Sequence, residues 1–203
     1  MTCIFGRRSV VAGILLWAVA MLAAWTAPDA RAKMVKTGLF DEKGIQLYVW
    51  PELPKLEGWS QDMDSSYHCD CNIQAPVGFT YRNAAAVMYA VAVYKPNVPQ
   101  AKTLEMFIER DIKRFSESAD KRDIAEAEPL TTADGRKLRT FTFFARGDGF
   151  YERAAYAEEG DSYLVITLSG RSRAGYEKAL ADYERLVRAY REGREEPGPA
   201  PPK

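Results

Sequence analysis

Apolar and polar positions alternate between Asp123 and Gly170 in a pattern that predicts an antiparallel meander. Four β-rich runs are separated by three tight turns, which are Asp134-Gly135, Gly147-Asp148-Gly149 and Gly160-Asp161. Short Asp-Gly and Gly-Asp sequences between alternating apolar residues are typical of β-hairpins. We therefore predict strands at residues 123–131, 136–146, 150–158 and 162–169.

Two strands of the predicted sheet are apolar on both sides. In the last meander strand, Tyr163 and Val165 alternate with Leu164 and Ile166, so neither face is polar. Residues 84–94 form a nearly continuous apolar run with prolines beyond it, which favours a strand buried on both faces. A sheet with such strands at its centre needs a covering layer on each face.

Two segments with helical periodicity are predicted to form the covering layers. Residues 100–117 and 173–192 carry apolar residues at i, i+3 and i+4 spacing, with charged residues on the opposite, solvated side. The stripe of the first helix is Leu104, Phe107, Ile108, Asp111/Ile112 and Phe115, and that of the second is Tyr176, Leu180, Tyr183, Leu186/Val187 and Tyr190. We predict an α+β fold, a central antiparallel sheet with helices packed on its faces, in a single domain over residues 33–192.

The segment before residue 84 has weaker patterns. Residues 33–43 are interpreted as a polar lead-in, residues 45–50 as a short strand ended by prolines, and residues 56–59 as a turn that carries an aromatic side chain. Residues 67–73 alternate in a way that suits a strand. Its predicted inner face is Tyr67, Cys69, Cys71 and Ile73, and its outer face is His68, Asp70 and Asn72.

Both termini are predicted to lie outside the domain. Arg7-Arg8, the apolar run at residues 10–25 and Ala30-Arg31-Ala32 are typical of a signal peptide over residues 1–32. The apolar run has roughly sixteen residues, fewer than the ~20 that span a bilayer, so we favour cleavage over an uncut anchor and expect no stable membrane span afterwards. Residues 193–203 are predicted to be a disordered, proline-rich tail.

The predicted signal peptide places the mature protein in the periplasm or outside the cell. The general secretory route is favoured, although the paired arginines also resemble a twin-arginine signal. Cleavage removes three of the 28 basic and one of the 28 acidic residues, which leaves a net charge near −2. Such a charge does not favour binding of nucleic acid. Two cysteines and one histidine remain, too few for a disulfide scaffold, so a hydrophobic core must hold the fold.

The order of the predicted elements and two short motifs resemble the PsbP-like family. The motifs are Glu57-Gly58-Trp59 near the start and Gly160-Asp161-Ser162-Tyr163-Leu164-Val165-Ile166 before the closing helix. The resemblance covers residues 45–191. It implies an α/β/α sandwich and a non-enzymatic role, since members are mostly accessory or binding proteins, including lumenal photosystem subunits and a Ran-binding import factor. The resemblance does not imply a particular ligand for this chain. The sequence His68-Cys69-Asp70-Cys71 belongs to no pattern of that family.

His68, Cys69, Asp70 and Cys71 form a cluster of potential redox or metal ligands. One interpretation is two half-buried free thiols, and a second is a disulfide. Residues i and i+2 of a strand are about 6.5–7 Å apart at Cα, too far for that bond without a local turn. A third is a metal site. Structural zinc needs about four ligands, whereas monovalent copper accepts two thiolates.

No catalytic residue and no cofactor are predicted. The mature chain has one histidine, no nucleophile-elbow sequence and no phosphate-cradling loop. Trp50, Trp59 and Tyr151 are candidates for binding, because aromatic side chains contribute most to interfaces. We therefore expect an exported, non-catalytic binding or accessory module with a protein partner or a small ligand. The alternative is a small redox or metal-handling protein, for copper or zinc, that uses Cys69 and Cys71.

Overall fold

The computed structural model describes residues 34–41, 44–117, 122–147 and 149–191. Its strands are β1 (Met34–Asp41), β2 (Gly44–Pro51), β3 (Trp59–Gln61), β4 (Asn72–Pro76), β5 (Ala86–Tyr94), β6 (Arg122–Thr131), β7 (Lys137–Ala145), β8 (Tyr151–Glu159) and β9 (Ser162–Gly170). Its α-helices are α1 (Met63–Cys69), α2 (Leu104–Ser116) and α3 (Arg173–Ala189), and a 3₁₀ turn spans Lys95–Asn97.

Seven strands form one antiparallel sheet in the order β3-β4-β5-β9-β8-β7-β6, while β1 and β2 pair as a separate hairpin. The predicted meander is confirmed as β6 to β9, within one residue of the predicted bounds at each end. Gly135 and Gly160 have φ angles of 84° and 52°, values that glycine adopts without steric cost. The turn chemistry therefore fixes this half of the sheet.

One face of the sheet packs against α3. Met88 of β5 and Leu164, Ile166 and Leu168 of β9 are buried there against the apolar stripe of the helix. Tyr183 of α3 is fully buried, and its hydroxyl donates a hydrogen bond to the carbonyl oxygen of Ile166, at 3.0 Å. The predicted central, two-sided position of β9 is confirmed, because β9 lies between β5 and β8.

The opposite face packs against α2. Phe107 stacks on Tyr163 with ring centroids 4.6 Å apart, and Ile108 is buried beside it. Asp111, the polar member of the predicted stripe, accepts a hydrogen bond from the Tyr156 hydroxyl at 2.7 Å. Burial, together with the nearby charge of Asp111, raises the pKa of Tyr156. With α3 on one face and α2 on the other, the predicted α+β sandwich is confirmed.

The prediction of a strand at residues 67–73 is wrong. Residues 63–69 form α1, which begins after the N-cap Asp62, and Asp70 then takes a left-handed conformation before β4 begins at Asn72. The Asp62 side chain accepts the Ser65 N–H at 3.1 Å. An aspartate N-cap stabilises a helix start by about 1 kcal/mol. The N-cap at Asp62 therefore selects a helix, although apolar and polar residues alternate here with the period of a strand.

The start of the chain also differs from the prediction. Residues 34–41 form β1, paired along its length with β2, rather than a polar lead-in. The turn at residues 56–59 is confirmed by the bond from the Trp59 N–H to the Leu56 carbonyl oxygen. The predicted signal peptide at 1–32 and tail at 193–203 lie outside the described residues. Within the described ranges, no helix is long and apolar enough to cross a membrane.

Candidate functional site

A groove of about 610 Å³ opens beside α1, on the sheet face that also carries α2. One wall is α1, which ends at Cys69, together with Cys71 after it. The other wall is the loop at residues 80–82, between β4 and β5. Ile73 and Tyr89, which are register partners on β4 and β5, form the floor. Wall residues are Asp62, Ser65, His68 and Cys69 on one side and Thr80, Tyr81 and Arg82 on the other.

Asp62 joins the two walls. One carboxylate oxygen caps α1, and the other accepts the backbone N–H of Tyr81 at 2.8 Å. Burial raises the pKa of Asp62, but the hydrogen bonds from the backbone of Tyr81 and Ser65 outweigh it and hold that pKa below its usual value. The groove therefore has a fixed width at this end, set by one ionised side chain.

A disulfide between Cys69 and Cys71 closes the end of α1. The left-handed Asp70, with φ of 51°, brings the two Cα atoms to 5.3 Å, well inside the range that a disulfide allows. Among the described residues, Asp70 is the only non-glycine with a positive φ. The turn that a Cys-x-Cys disulfide requires is therefore present, and the interpretation as two free thiols does not hold for this structure.

The two cysteines of the disulfide differ in exposure. Cys69 is solvent-exposed, whereas Cys71 is 4% exposed and packs in an apolar cluster with Ile73, Ala75 and Val87. Both cysteines line the groove. A molecule in the groove would thus meet Cys69 before Cys71.

His68 lies next to the disulfide and is exposed. Its Nδ1 is 2.7 Å from the carbonyl oxygen of Asp64, and because a carbonyl only accepts, Nδ1 donates this hydrogen bond. Burial raises the pKa of Asp70. Within the described residues, no group of three or more His, Cys, Asp or Glu side chains is placed to hold a metal ion.

A buried polar cluster lies beside the groove floor, on the same face of the sheet. The Tyr89 hydroxyl is 3.4 Å from Glu152 Oε1, which also accepts the Ser169 hydroxyl at 3.0 Å. Arg122 Nη1 donates to Glu152 Oε2 at 2.6 Å. Burial and then the charge of Glu152 raise the pKa of Tyr89 well above its usual value, so this phenol stays protonated and can donate. Sequence reasoning missed this cluster.

The three aromatic binding candidates do not come together. Trp50 is 3% exposed and packs on the Tyr67 ring with centroids 5.3 Å apart. Tyr151 packs on Phe144. Trp59 lines a smaller cleft of about 280 Å³ between β3 and α3, where its Nε1 donates to Asp182 Oδ2 at 2.8 Å. None of the three lines the groove, whereas His68, Cys69 and Cys71 all do.

The loop after β4 separates the groove from the cleft. Its apolar side chains are exposed, with Val77 at 63%, Phe79 at 53% and Tyr81 at 38%. Phe79 lines the cleft, and Tyr81 lines the groove. The ring of Tyr81 also has the Arg171 guanidinium 5.6 Å from its centroid, so this part of the loop is tied to the sheet.

No protein-family model matches the chain, and no curated protein matches it in sequence. Membership of the PsbP-like family therefore stays a prediction, and function has to be argued from the geometry of the groove.

Proposed function

We propose that the chain is an exported, non-catalytic binding module whose ligand site is the groove between α1 and residues 80–82. The observation that carries this proposal is the groove itself. Its volume of about 610 Å³ lies within the few hundred to about 1,000 Å³ of small-molecule sites, and two walls of different chain segments are joined through Asp62. Preformed walls reduce the conformational entropy that the protein itself would lose on binding a ligand.

The lining indicates an organic ligand that has an apolar part and a polar group. Ile73 and the Tyr81 ring offer apolar and aromatic surface, while Arg82 offers hydrogen-bond donors. Asp62 and Asp64 add negative charge at one wall. This combination of mainly apolar contacts with a few convergent polar groups is the usual composition of a ligand site.

The disulfide at the groove wall supports export of the protein. Disulfides persist in oxidising compartments such as the periplasm and are rare in the cytosol. The Cys69–Cys71 disulfide agrees with the signal peptide predicted from the sequence. It also favours the redox alternative over metal handling, because sulfurs bonded to each other are not available as thiolate ligands until they are reduced.

Filling the groove is expected to abolish ligand binding. Thr80→Trp places a large indole at a wall, whereas Val77→Trp adds the same side chain to the same loop at an exposed position outside the groove. Thermal-shift and calorimetric titrations would use a panel of small aromatic carboxylates and aromatic amines as probes. We expect Thr80→Trp to weaken binding of the best probe at least tenfold, about 1.4 kcal/mol, and Val77→Trp to leave it unchanged.

Equal binding by wild type and Thr80→Trp, or absence of binding across the panel, would contradict the proposal. Far-UV circular dichroism and the melting temperature of both tryptophan variants check that the loop substitution has not altered the fold.

A further inference from the structure

We propose that the groove wall carries a thiol–disulfide exchange site, in which a thiol ligand attacks Cys69 and Cys71 is the leaving group. The inference rests on the proposed function in one respect, that the ligand occupies the groove. The substrate class is a small thiol or a thiol-bearing peptide, whose size fits a groove of about 610 Å³.

Exposure decides which sulfur is attacked. An attacking thiolate must reach a sulfur along the line of the disulfide bond. Cys69 is exposed at the groove wall, whereas Cys71 is 4% exposed and covered by the apolar cluster around Ile73. Attack at Cys71 would require that cluster to open, so Cys69 is the accessible electrophile.

The electrostatic surroundings of the disulfide also favour attack at Cys69 with Cys71 as the leaving group. Cys69 is the last residue of α1, and its Sγ lies 3.7 Å from the Ser66 carbonyl oxygen and 3.9 Å from that of Cys71. Carbonyl oxygens and the C-terminal end of a helix disfavour negative charge. Cys69 is therefore the poorer site for the charge that develops on the departing sulfur, and the electron pair goes to Cys71.

The exchange balances without a further co-reactant. The ligand thiolate forms a bond to Cys69 Sγ as the Cys69–Cys71 bond breaks, and Cys71 leaves with the electron pair and takes up a proton. A second ligand thiolate then attacks the ligand sulfur of the mixed disulfide. A ligand disulfide is released, Cys69 becomes a thiol, and two ligand thiols have been oxidised while one protein disulfide has been reduced. Each copy of the protein does this once.

Two single-cysteine variants test whether Cys69 is the more reactive of the two cysteines. Cys71→Ser leaves Cys69 as the thiol at this site, and Cys69→Ser leaves Cys71; Cys3→Ser in both removes the remaining cysteine of the sequence. The probe is oxidised glutathione, and adduct formation is followed by mass spectrometry of the folded proteins. We expect Cys69 to react about a hundredfold faster than Cys71, because the burial of Cys71 outweighs the carbonyl oxygens that disfavour charge on Cys69. In denaturant both differences disappear, and the two rates should become equal.

A second measurement does not depend on the variants folding. The wild-type protein with its disulfide formed is treated with reduced glutathione under native conditions, quenched with acid and mapped by peptide mass spectrometry. We expect the mixed disulfide on Cys69. Glutathione on Cys71, equal native rates in the two variants, or a wild-type disulfide that glutathione leaves intact until the protein is unfolded would each overturn the proposal.

Failure of this inference and failure of the proposed function give different results. If the panel probes bind in the groove but the adduct forms on Cys71, exchange at Cys69 is wrong while the binding site stands. If Cys69 reacts selectively but Thr80→Trp leaves probe binding unchanged, the exchange stands while the groove is not the ligand site.

Discussion

Replacing Glu152 by alanine is expected to lower the free energy of unfolding by about 3–5 kcal/mol, the cost of leaving a buried charge without its partner. Glu152 is 8% exposed and accepts hydrogen bonds from Arg122 and Ser169. Its loss leaves the Arg122 guanidinium in a site where water reaches it poorly, since the side chains of both partners are about 10% exposed. Chemical denaturation, followed by circular dichroism, measures the change.

Two controls separate the buried charge from the general effect of losing a carboxylate. Asp123→Ala removes the partner of Arg146 in a pair with both side chains more than half exposed, and we expect a change of less than about 1 kcal/mol. The double variant Arg122→Met with Glu152→Leu replaces the pair by apolar residues and should recover most of the lost stability. A Glu152→Ala variant no less stable than Asp123→Ala would show that the pair is not buried as described.

Tyr183→Ala is expected to cost about 3–5 kcal/mol, the usual loss when a large buried aromatic side chain is truncated. Tyr183 is fully buried between α3 and β9, and its hydroxyl donates to the Ile166 carbonyl oxygen. Removing the ring leaves a cavity at the centre of the core and an acceptor without its donor. The melting temperature and the free energy of unfolding would both fall.

Tyr183→Phe separates the contribution of the hydrogen bond from that of the buried ring. Tyr183→Phe keeps the ring and removes only the hydrogen bond, so we expect a loss of about 1 kcal/mol. Tyr94→Ala truncates a tyrosine that is half exposed at the end of β5, and it should change stability by less than about 1 kcal/mol. Equal losses for Tyr183→Ala and Tyr94→Ala would contradict the placement of α3 on the sheet.

The sequence predicted well wherever one local signal dominates. The meander follows from glycines in the turns at Gly135 and Gly160, and α2 and α3 follow from stripes with helical spacing. Even the polar Asp111 lies on the inner stripe as the pattern requires, because the Tyr156 hydroxyl supplies a buried donor for it. Local periodicity and tertiary packing agree in these elements, which makes them predictable.

Prediction failed where two local signals compete or where the partner is distant in sequence. Residues 67–73 alternate like a strand, but the cap at Asp62 selects a short helix, and Asp70 supplies the turn that the disulfide needs. The groove joins Asp62 to Tyr81 across 19 residues, and the cluster beside it joins Tyr89 to Glu152 across 63. Glu152 alternates onto the same face of β8 as Ala154 and Tyr156, and a charged residue at that position was the signal that could have indicated a buried ion pair.

The most direct test of the groove as the ligand site is the position of amide chemical-shift changes in ¹H–¹⁵N spectra when the best probe of the aromatic panel is added. The shifts are predicted to concentrate at residues 62–71 and 80–82, which form the two walls. The indole N–H of Trp59, which reports on the separate cleft through its bond to Asp182, is predicted to stay unchanged. Shifts at Trp59 and Phe79 with the groove walls unmoved would place the ligand in the cleft and contradict the proposed site.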